Sequence, residues 1–338
     1  MNARALIVDG NSGRLVPAEI WIDDLRDDEV LVRVTHCGVC RSDLNRLRIT
    51  DSSSNVPAVP GHEIVGEIVG AGRSVSGVSI GTRVGIGWQS GSCGHCEWCR
   101  QGQEHLCVDQ EETCLGRSGG FATHVKVQSR FAVPIPERLD SAHAAPLLCA
   151  GITVFSPLIR HSIGADQKTA VVGIGGLGHL ALQFLRAMGC APDAFSRSPW
   201  KAEDARNFGA KNFFCLEDQR AQGDFVSTYD FVLSTSPGMS DVSGLIRMLR
   251  PQGILCLVGV PHEAIAFAAE DLIAFQKTIE GSPIGSPMLI AQMFRFAVGK
   301  GVIPRIECSS MTDANRVLAR LTENQIRYRA VLVQDLEA

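Results

Sequence analysis

The chain has 338 residues, 45% hydrophobic and 20% charged, which suits two ordinary globular domains and argues against long disordered tracts. Thirty-two Lys and Arg against 36 Asp and Glu leave a formal charge of -4, a balance that argues against a nucleic-acid-binding face. The longest uncharged candidate for a membrane span, Ala144 to Ile159, is short of the roughly 20 residues needed and is broken by Pro146, Gly151 and Pro157. Met1 to Gly10 has no basic region followed by an apolar core, so no secretory signal is expected there.

The first 140 residues read as β-rich. Strands are expected over Glu29 to Thr35, Ile64 to Val69, Thr82 to Ile86 and Phe121 to Val127, each short and bounded by Gly or charge. Such strands point to a barrel-like or distorted all-β domain. A polar loop, Thr50 to Asn55, is expected to be mobile. Near residue 150 the pattern changes. Lys168 to Gly173 is a buried-strand run ending in glycines, and Leu177 to Met188 has helical apolar spacing, with Gly189 as its stop. Ala191 to Ser196 is a further strand, weakened by Pro192. Phe231 to Ser234 is a strand, Val242 to Leu249 a helix closed by Pro251 and Gly253, and Ile254 to Val260 another strand. This alternation predicts a doubly wound parallel sheet. The tail is helical from Met288 and ends in a strand, Arg329 to Val333.

Twelve cysteines are present. Cys93, Cys96 and Cys99 are each separated by two residues, and Cys107 follows after seven. Four thiolates can close a tetrahedral zinc site that serves structure. An iron–sulfur cluster competes with that reading, and a nucleic-acid zinc module is opposed by Glu97, Glu104 and Asp109. Elsewhere, Cys40 sits in CGVCRSD, His62 and Glu63 in PGHEIVGEIVG, and Cys149 in PLLCAG. Taken singly, each of these has an ordinary structural reading, a buried thiol or a satisfied histidine.

Gly173, Gly175 and Gly178 form a GxGxxG within VGIGGLG, which also holds Gly176. The motif follows a buried strand and opens a helix, the context in which glycines permit a tight turn and a helix N-terminus receives a pyrophosphate. In folds that prefer NAD, a carboxylate ends the second strand and binds the ribose 2′-hydroxyl. Here that position is Ser196, with Arg197, Ser198 and Lys201 beyond it and Asp193 too far back. Hydroxyls and cations suit a 2′-phosphate, so NADP is expected.

Taken together, the segments GVCRSDL, VPGHEIVGEIV, VGIGWQSGSCGHCEWC, GGFA, PLLCAGITVFSPL and VGIGGLGHLALQFLRAMGC closely resemble the zinc-dependent medium-chain alcohol dehydrogenases. Within them, the match is to the cinnamyl-alcohol-dehydrogenase-like branch with its bacterial NADPH-dependent aldehyde reductases. The resemblance covers nearly the whole chain and is weakest at 45–58 and 211–230. It implies an α/β fold: a β-rich GroES-like catalytic domain over 1–150 and 287–338, and a doubly wound Rossmann cofactor domain over 151–286. It implies two zinc ions per chain. Cys40, His62 and Cys149 would hold the catalytic zinc with Glu63 as an alternative ligand, and Cys93, Cys96, Cys99 and Cys107 would hold the structural one. Cys37 does not match a ligand position.

The resemblance further implies that Asp43 orients the histidine and that Ser42 relays the alcohol proton. The relay commonly ends on a His where this chain has Asn45. Arg41 matches a pyrophosphate contact, and Val258, Val260 and Ser282 to Ser286 match segments that line the nicotinamide. Trp88 is either pocket lining or core. The expected activity is reversible hydride transfer between NADP(H) and an aldehyde or primary alcohol, by a cytoplasmic homodimer with no nucleic-acid or membrane partner. Alternatives are a polyol or sugar dehydrogenase on the same scaffold, or a nucleotide-binding sensor that lost catalysis.

Overall fold

The computed structural model describes residues 1–47, 57–216, 225–236, 241–260 and 264–336; the polar loop over 50–55 lies outside them. The chain divides into two compact units. One comprises Met1–Ile152, Gly285–Gly299 and Pro304–Ala338, the other Thr153–Ile284 and Lys300–Ile303.

The first unit is built on a seven-stranded sheet. Its path runs Ile306–Ser310, Arg329–Val333, Glu29–Val39, Glu63–Ala71, Arg83–Ile86, Val133–Pro134, and His124–Gln128 pairs separately with Glu29–Val39. All pairs but the first are antiparallel. Alternation along the central strand drives its apolar side chains inward: Val30, Val32 and Val34 are buried with Ile64, Ile68, Val84, Phe121 and Leu332 in one core. The expected strand over Phe121 to Val127 begins three residues late, at His124. Ala122 instead forms an isolated bridge to Ala5 in the hairpin Asn2–Val8 with Leu15–Trp21.

The second unit holds six parallel strands in the order Asn212–Cys215, Asp193–Ser196, Thr169–Val172, Tyr229–Ser234, Leu249–Leu257, Thr278–Gly281. Numbered along the chain this is 3-2-1-4-5-6, the doubly wound order whose strand ends surround a dinucleotide crevice. The second strand starts at Asp193, so Pro192 lies outside it and opposes no ladder. One boundary differs from expectation. The helix ends at Met248, and Leu249, Pro251 and Gly253 belong to the next strand. Pairing there jumps from Tyr229–Leu249 to Phe231–Ile254. That irregularity carries Gln252 at φ 62, and a bulge is where a strand tolerates proline.

One helical run, Ser141–Arg160, is long and apolar enough to cross a membrane by composition, but 89% of its window is buried inside the protein, as in a core helix.

Candidate active site and metal centres

Strand register brings the first cluster together. Glu29–Val39 and Glu63–Ala71 run antiparallel with Gly38 opposite Glu63. Cys40, just past the end of one strand, therefore meets His62, just before the start of the other. Gly38 is needed at this crossing, because a Cβ there would overlap the Glu63 carboxylate. Cys40 caps the helix Arg41–Arg46. Asp43, in its first turn, reaches back: its Oδ2 accepts the Cys40 backbone N–H at 2.8 Å and its Oδ1 the Gly61 N–H at 3.1 Å.

Asp43 Oδ1 also lies 3.0 Å from His62 Nδ1. A carboxylate only accepts, so Nδ1 carries the proton and Nε2 presents its lone pair. His62 and Asp43 are both fully buried, and His62 Nε2 has no partner. Cys149 arrives from a five-residue π-helical turn, Leu147–Gly151, between the helices Ser141–Pro146 and Ile152–Arg160. Such turns recur at functional sites because they re-aim one side chain. The Cys149 and Cys40 sulfurs are 3.9 Å apart. One ligand atom from each of Cys40, His62, Glu63 and Cys149 lies within 4.8 Å of the others.

The electrostatics suit a cation. Cys149, donating its S–H, holds the Cys40 thiol well below its ordinary value against the opposing effect of burial, with help from His62 and Arg329. Cys149 is raised in turn by Cys40 and by burial. Burial opposes charge on His62, but Asp43 and Cys149 outweigh it and leave the ring well above its usual range. Burial pushes Glu63 up to about 7 against the pull of Arg329. One Glu63 oxygen takes a hydrogen bond from buried Arg329, and the other is buried without a partner. Two thiols, an unpartnered imidazole nitrogen and an unpartnered carboxylate oxygen form a donor set that fits zinc with a position left to exchange.

Around this cluster, Ser42 Oγ is 3.7 Å from the Cys40 sulfur. Trp88 meets the His62 ring edge-on at 4.9 Å and carries the Arg46 guanidinium over its face at 5.2 Å. Arg46 is held by Glu112 at 2.6 Å. Asn45 is exposed.

The second cluster is compact too. Cys93, Cys96, Cys99 and Cys107 place their sulfurs within 4.8 Å of one another, with Cys93–Cys99 at 3.9 Å and Cys107–Cys93 at 3.6 Å. Gly94 and Gly102, at φ 75 and 70, let the loop wrap around them. Backbone N–H groups of His95 and Cys96 draw Cys93 down to about 6. Four sulfurs and no open position fit a structural zinc. Cys37 is fully buried in the core and joins neither group.

In the second unit, strand Thr169–Val172 runs into Gly173 at φ 93, and helix Gly178–Ala187 follows. A Cβ at Gly178 would collide with the Gly173 carbonyl oxygen, whereas one at Gly175 would meet nothing within 4 Å. The first glycine thus packs helix on strand, and the second leaves space for a phosphate to approach the backbone. Gly176 lies beside it, half-buried. At the end of the second strand Ser196 is buried and its Oγ accepts the Ser198 N–H at 3.2 Å. Arg197 is exposed. The Lys201 ammonium reaches the glycine loop and donates to the Ile174 carbonyl at 2.7 Å, a contact that sequence spacing does not reveal. Asp193 is occupied at the strand's start by Tyr229 and Asn212, each at 2.8 Å. Val258 is half-buried, Val260 is 81% exposed, and Ser282 Oγ is buried without a partner. Arg41 donates to Asn324 at 2.7 Å.

Residues 26–137 match the family model for the alcohol dehydrogenase GroES-like domain, and residues 176–299 that for the zinc-binding dehydrogenase domain. The chain is 39% identical over 321 residues to aldehyde reductase AdhA of Synechocystis sp., covering 95% of this chain and 96% of that protein. Its structure is similar to that of cinnamyl alcohol dehydrogenase SbCAD4 from Sorghum bicolor, with TM-score 0.94, 32% identity and full coverage of both chains. It is also similar to the cinnamyl alcohol dehydrogenase of Helicobacter pylori complexed with NADP(H), with TM-score 0.89, 27% identity and 98% coverage of both. The chain belongs to the zinc-dependent medium-chain alcohol dehydrogenases, in their cinnamyl-alcohol-dehydrogenase-like branch.

Proposed function

We propose that this chain interconverts aldehydes and primary alcohols, with hydride exchanged with NADP(H) and zinc held by Cys40, His62 and Cys149. The observation that carries the reading is the buried, unpartnered His62 Nε2 between two thiols and a carboxylate. Zinc bound there supplies a Lewis acid that polarises a carbonyl oxygen or lowers the pKa of an alcohol.

The chain's own groups do the rest. Asp43 sets the His62 tautomer. Glu63, held by Arg329, keeps a spare carboxylate oxygen facing the ligand cluster. The Ser42 hydroxyl donates and accepts at once and so passes the alcohol proton outward. Its next acceptor is solvent at exposed Asn45, because an amide has no basic nitrogen to end the relay. Trp88 stands against the His62 ring with Arg46 over its face.

Cofactor choice rests on the second strand's end. Ser196, Arg197, Ser198 and Lys201 receive the 2′-phosphate, and the carboxylate of the same strand, Asp193, is tied down at its far end. In this reading the first unit is the catalytic domain and the second binds the dinucleotide, with Val258 and Val260 beside the nicotinamide. The enzyme works as a homodimer in the cytoplasm. All 12 cysteines are unpaired, as thiol ligands require. The sheet edge Thr278–Gly281, with exposed Ile273 and Phe275 just before it, is the surface a partner would cover.

The test is kcat/KM for NADPH and NADH with a simple aldehyde, in the wild type and in Arg197→Ala. NADPH is expected to be preferred, and the loss in Arg197→Ala to be confined to NADPH. Equal efficiency with both cofactors in the wild type would defeat the assignment.

A further inference from the structure

One short helix reaches His62 twice. Asp43 and Arg46 stand three residues apart in Arg41–Arg46 and so share a face of it. Asp43 meets the ring directly at Nδ1. Arg46 meets it through an indole. Its guanidinium lies 5.2 Å from the Trp88 ring centroid, and that ring stands at 80° to the His62 ring with centroids 4.9 Å apart. A cation over an indole face and an edge contact between rings are both attractive.

The guanidinium is itself held. Its Nη2 donates to Glu112 Oε2 at 2.6 Å, and the Arg46 and Glu112 side chains are only 12% and 26% exposed. A pair so far withdrawn from water is screened less than one on the open surface. Glu112 also comes from an anchored strand. Its neighbour Glu111 is bridged to Arg26 at 3.1 Å and to Arg117 at 3.0 Å, and both arginines meet the fully buried Glu29 as well. Glu112 pairs with Gln89. The next residue, Thr113, donates its N–H to the Trp88 carbonyl at 2.8 Å and its hydroxyl to the Gly87 carbonyl at 2.7 Å. One strand therefore fixes the Trp88 backbone and, through Glu112 and Arg46, the face of its ring.

We infer that Arg46 and Glu112 are a positioning pair: Glu112 fixes the Arg46 guanidinium over Trp88, and the guanidinium holds the indole against the ring of His62. Neither residue is a metal ligand. With Asp43 at Nδ1, the indole is the second restraint on the imidazole plane. The inference rests on the zinc reading above for the role of His62, but the hold on Trp88 does not depend on it.

The experiment compares wild type, Arg46→Gln, Glu112→Gln, the double variant and Arg46→Lys as purified zinc proteins. Acrylamide quenching of Trp88 fluorescence, isolated by subtraction of matched Trp88→Phe proteins, reads the indole. The visible spectrum after cobalt exchange at the chelator-accessible site reads the metal's ligands. Trp88 should be quenched more readily in either single variant, and the cobalt spectrum should shift. The kcat/KM for a simple aldehyde should fall about 10-fold, the lower end of the loss on removing a group that orients a metal ligand. The double variant should be no worse than either single one, because partners in one contact are not additive. Arg46→Lys, which keeps a cation for both Glu112 and the indole, should recover most of each readout. Wild-type quenching in both single variants, additive losses in the double variant, or a lysine variant no better than glutamine would overturn the inference. Altered quenching with an unchanged cobalt spectrum would overturn the step from Trp88 to His62. A wild type with no zinc beyond the four-cysteine site would instead defeat the zinc reading, and that step with it, while the quenching result still decides the hold on Trp88.

Discussion

Asp43→Asn isolates the buried carboxylate that ties the helix start to the histidine. Asp43 accepts from the Cys40 N–H, the Gly61 N–H and His62 Nδ1 at 2.8, 3.1 and 3.0 Å. Asparagine keeps one accepting oxygen and turns an NH₂ toward at least one of these donors. Each hydrogen bond to a charged group contributes about 1.5–3 kcal/mol, and a buried donor left unsatisfied costs about 1–3 kcal/mol. The substitution should therefore cost roughly 2–5 kcal/mol, a large part of the ~5–15 kcal/mol that holds a domain folded. If the amide oxygen takes the Oδ2 place on the Cys40 N–H, the NH₂ faces the Gly61 N–H and His62 Nδ1, His62 loses its fixed tautomer and zinc affinity falls about 10- to 100-fold. Urea unfolding of the first unit and chelator competition for zinc measure the two effects separately. Asp43→Ala, which orphans all three donors, should be the more damaging change. An Asp43→Asn protein within about 0.5 kcal/mol of wild type, with unchanged zinc affinity, would refute the reasoning.

Other outcomes follow from the same geometry. Cys99→Ser should release one zinc and lower Tm without altering the remaining metal's affinity, checked by metal analysis and calorimetry. Arg329→Met leaves the Glu63 carboxylate buried and unpaired, a change that costs about 3–5 kcal/mol; denaturant unfolding measures it, and a midpoint equal to wild type would contradict the pairing. Ser42→Ala should slow alcohol oxidation by roughly 10²-fold, as for a positioned proton transfer, and Asn45→His should change the pH profile of that direction in steady-state assays.

Much of the site is legible in the sequence because its residues sit in motifs whose spacing has a physical meaning. Cys93, Cys96, Cys99 and Cys107 lie close enough along the chain to reach one ion. The GxGxxG run announces its turn because Gly178 must pack on the Gly173 carbonyl. Cys40, His62 and Cys149 are legible only jointly, through their flanking segments. Arg329 is not legible as a site residue. It heads an apolar strand 266 positions from Glu63, and only the register of Arg329–Val333 beside Glu29–Val39 brings it near. The strand over Leu249–Leu257 is missed at its start because proline and glycine punctuate sequences as stops, whereas here they occupy an irregular stretch of a strand.

The account's central claim is that turnover depends on zinc held by Cys40, His62 and Cys149, and stepwise removal of metal tests it most directly. Pure protein is titrated with chelator while zinc content and NADPH-dependent reduction of a simple aldehyde are read on the same samples. Two zinc ions per chain are expected at the start. Activity should vanish with loss of the first and return when one zinc is restored, while His62→Ala should hold only one zinc and stay inactive. Full turnover in protein that retains only the four-cysteine zinc, or in His62→Ala, would contradict the claim.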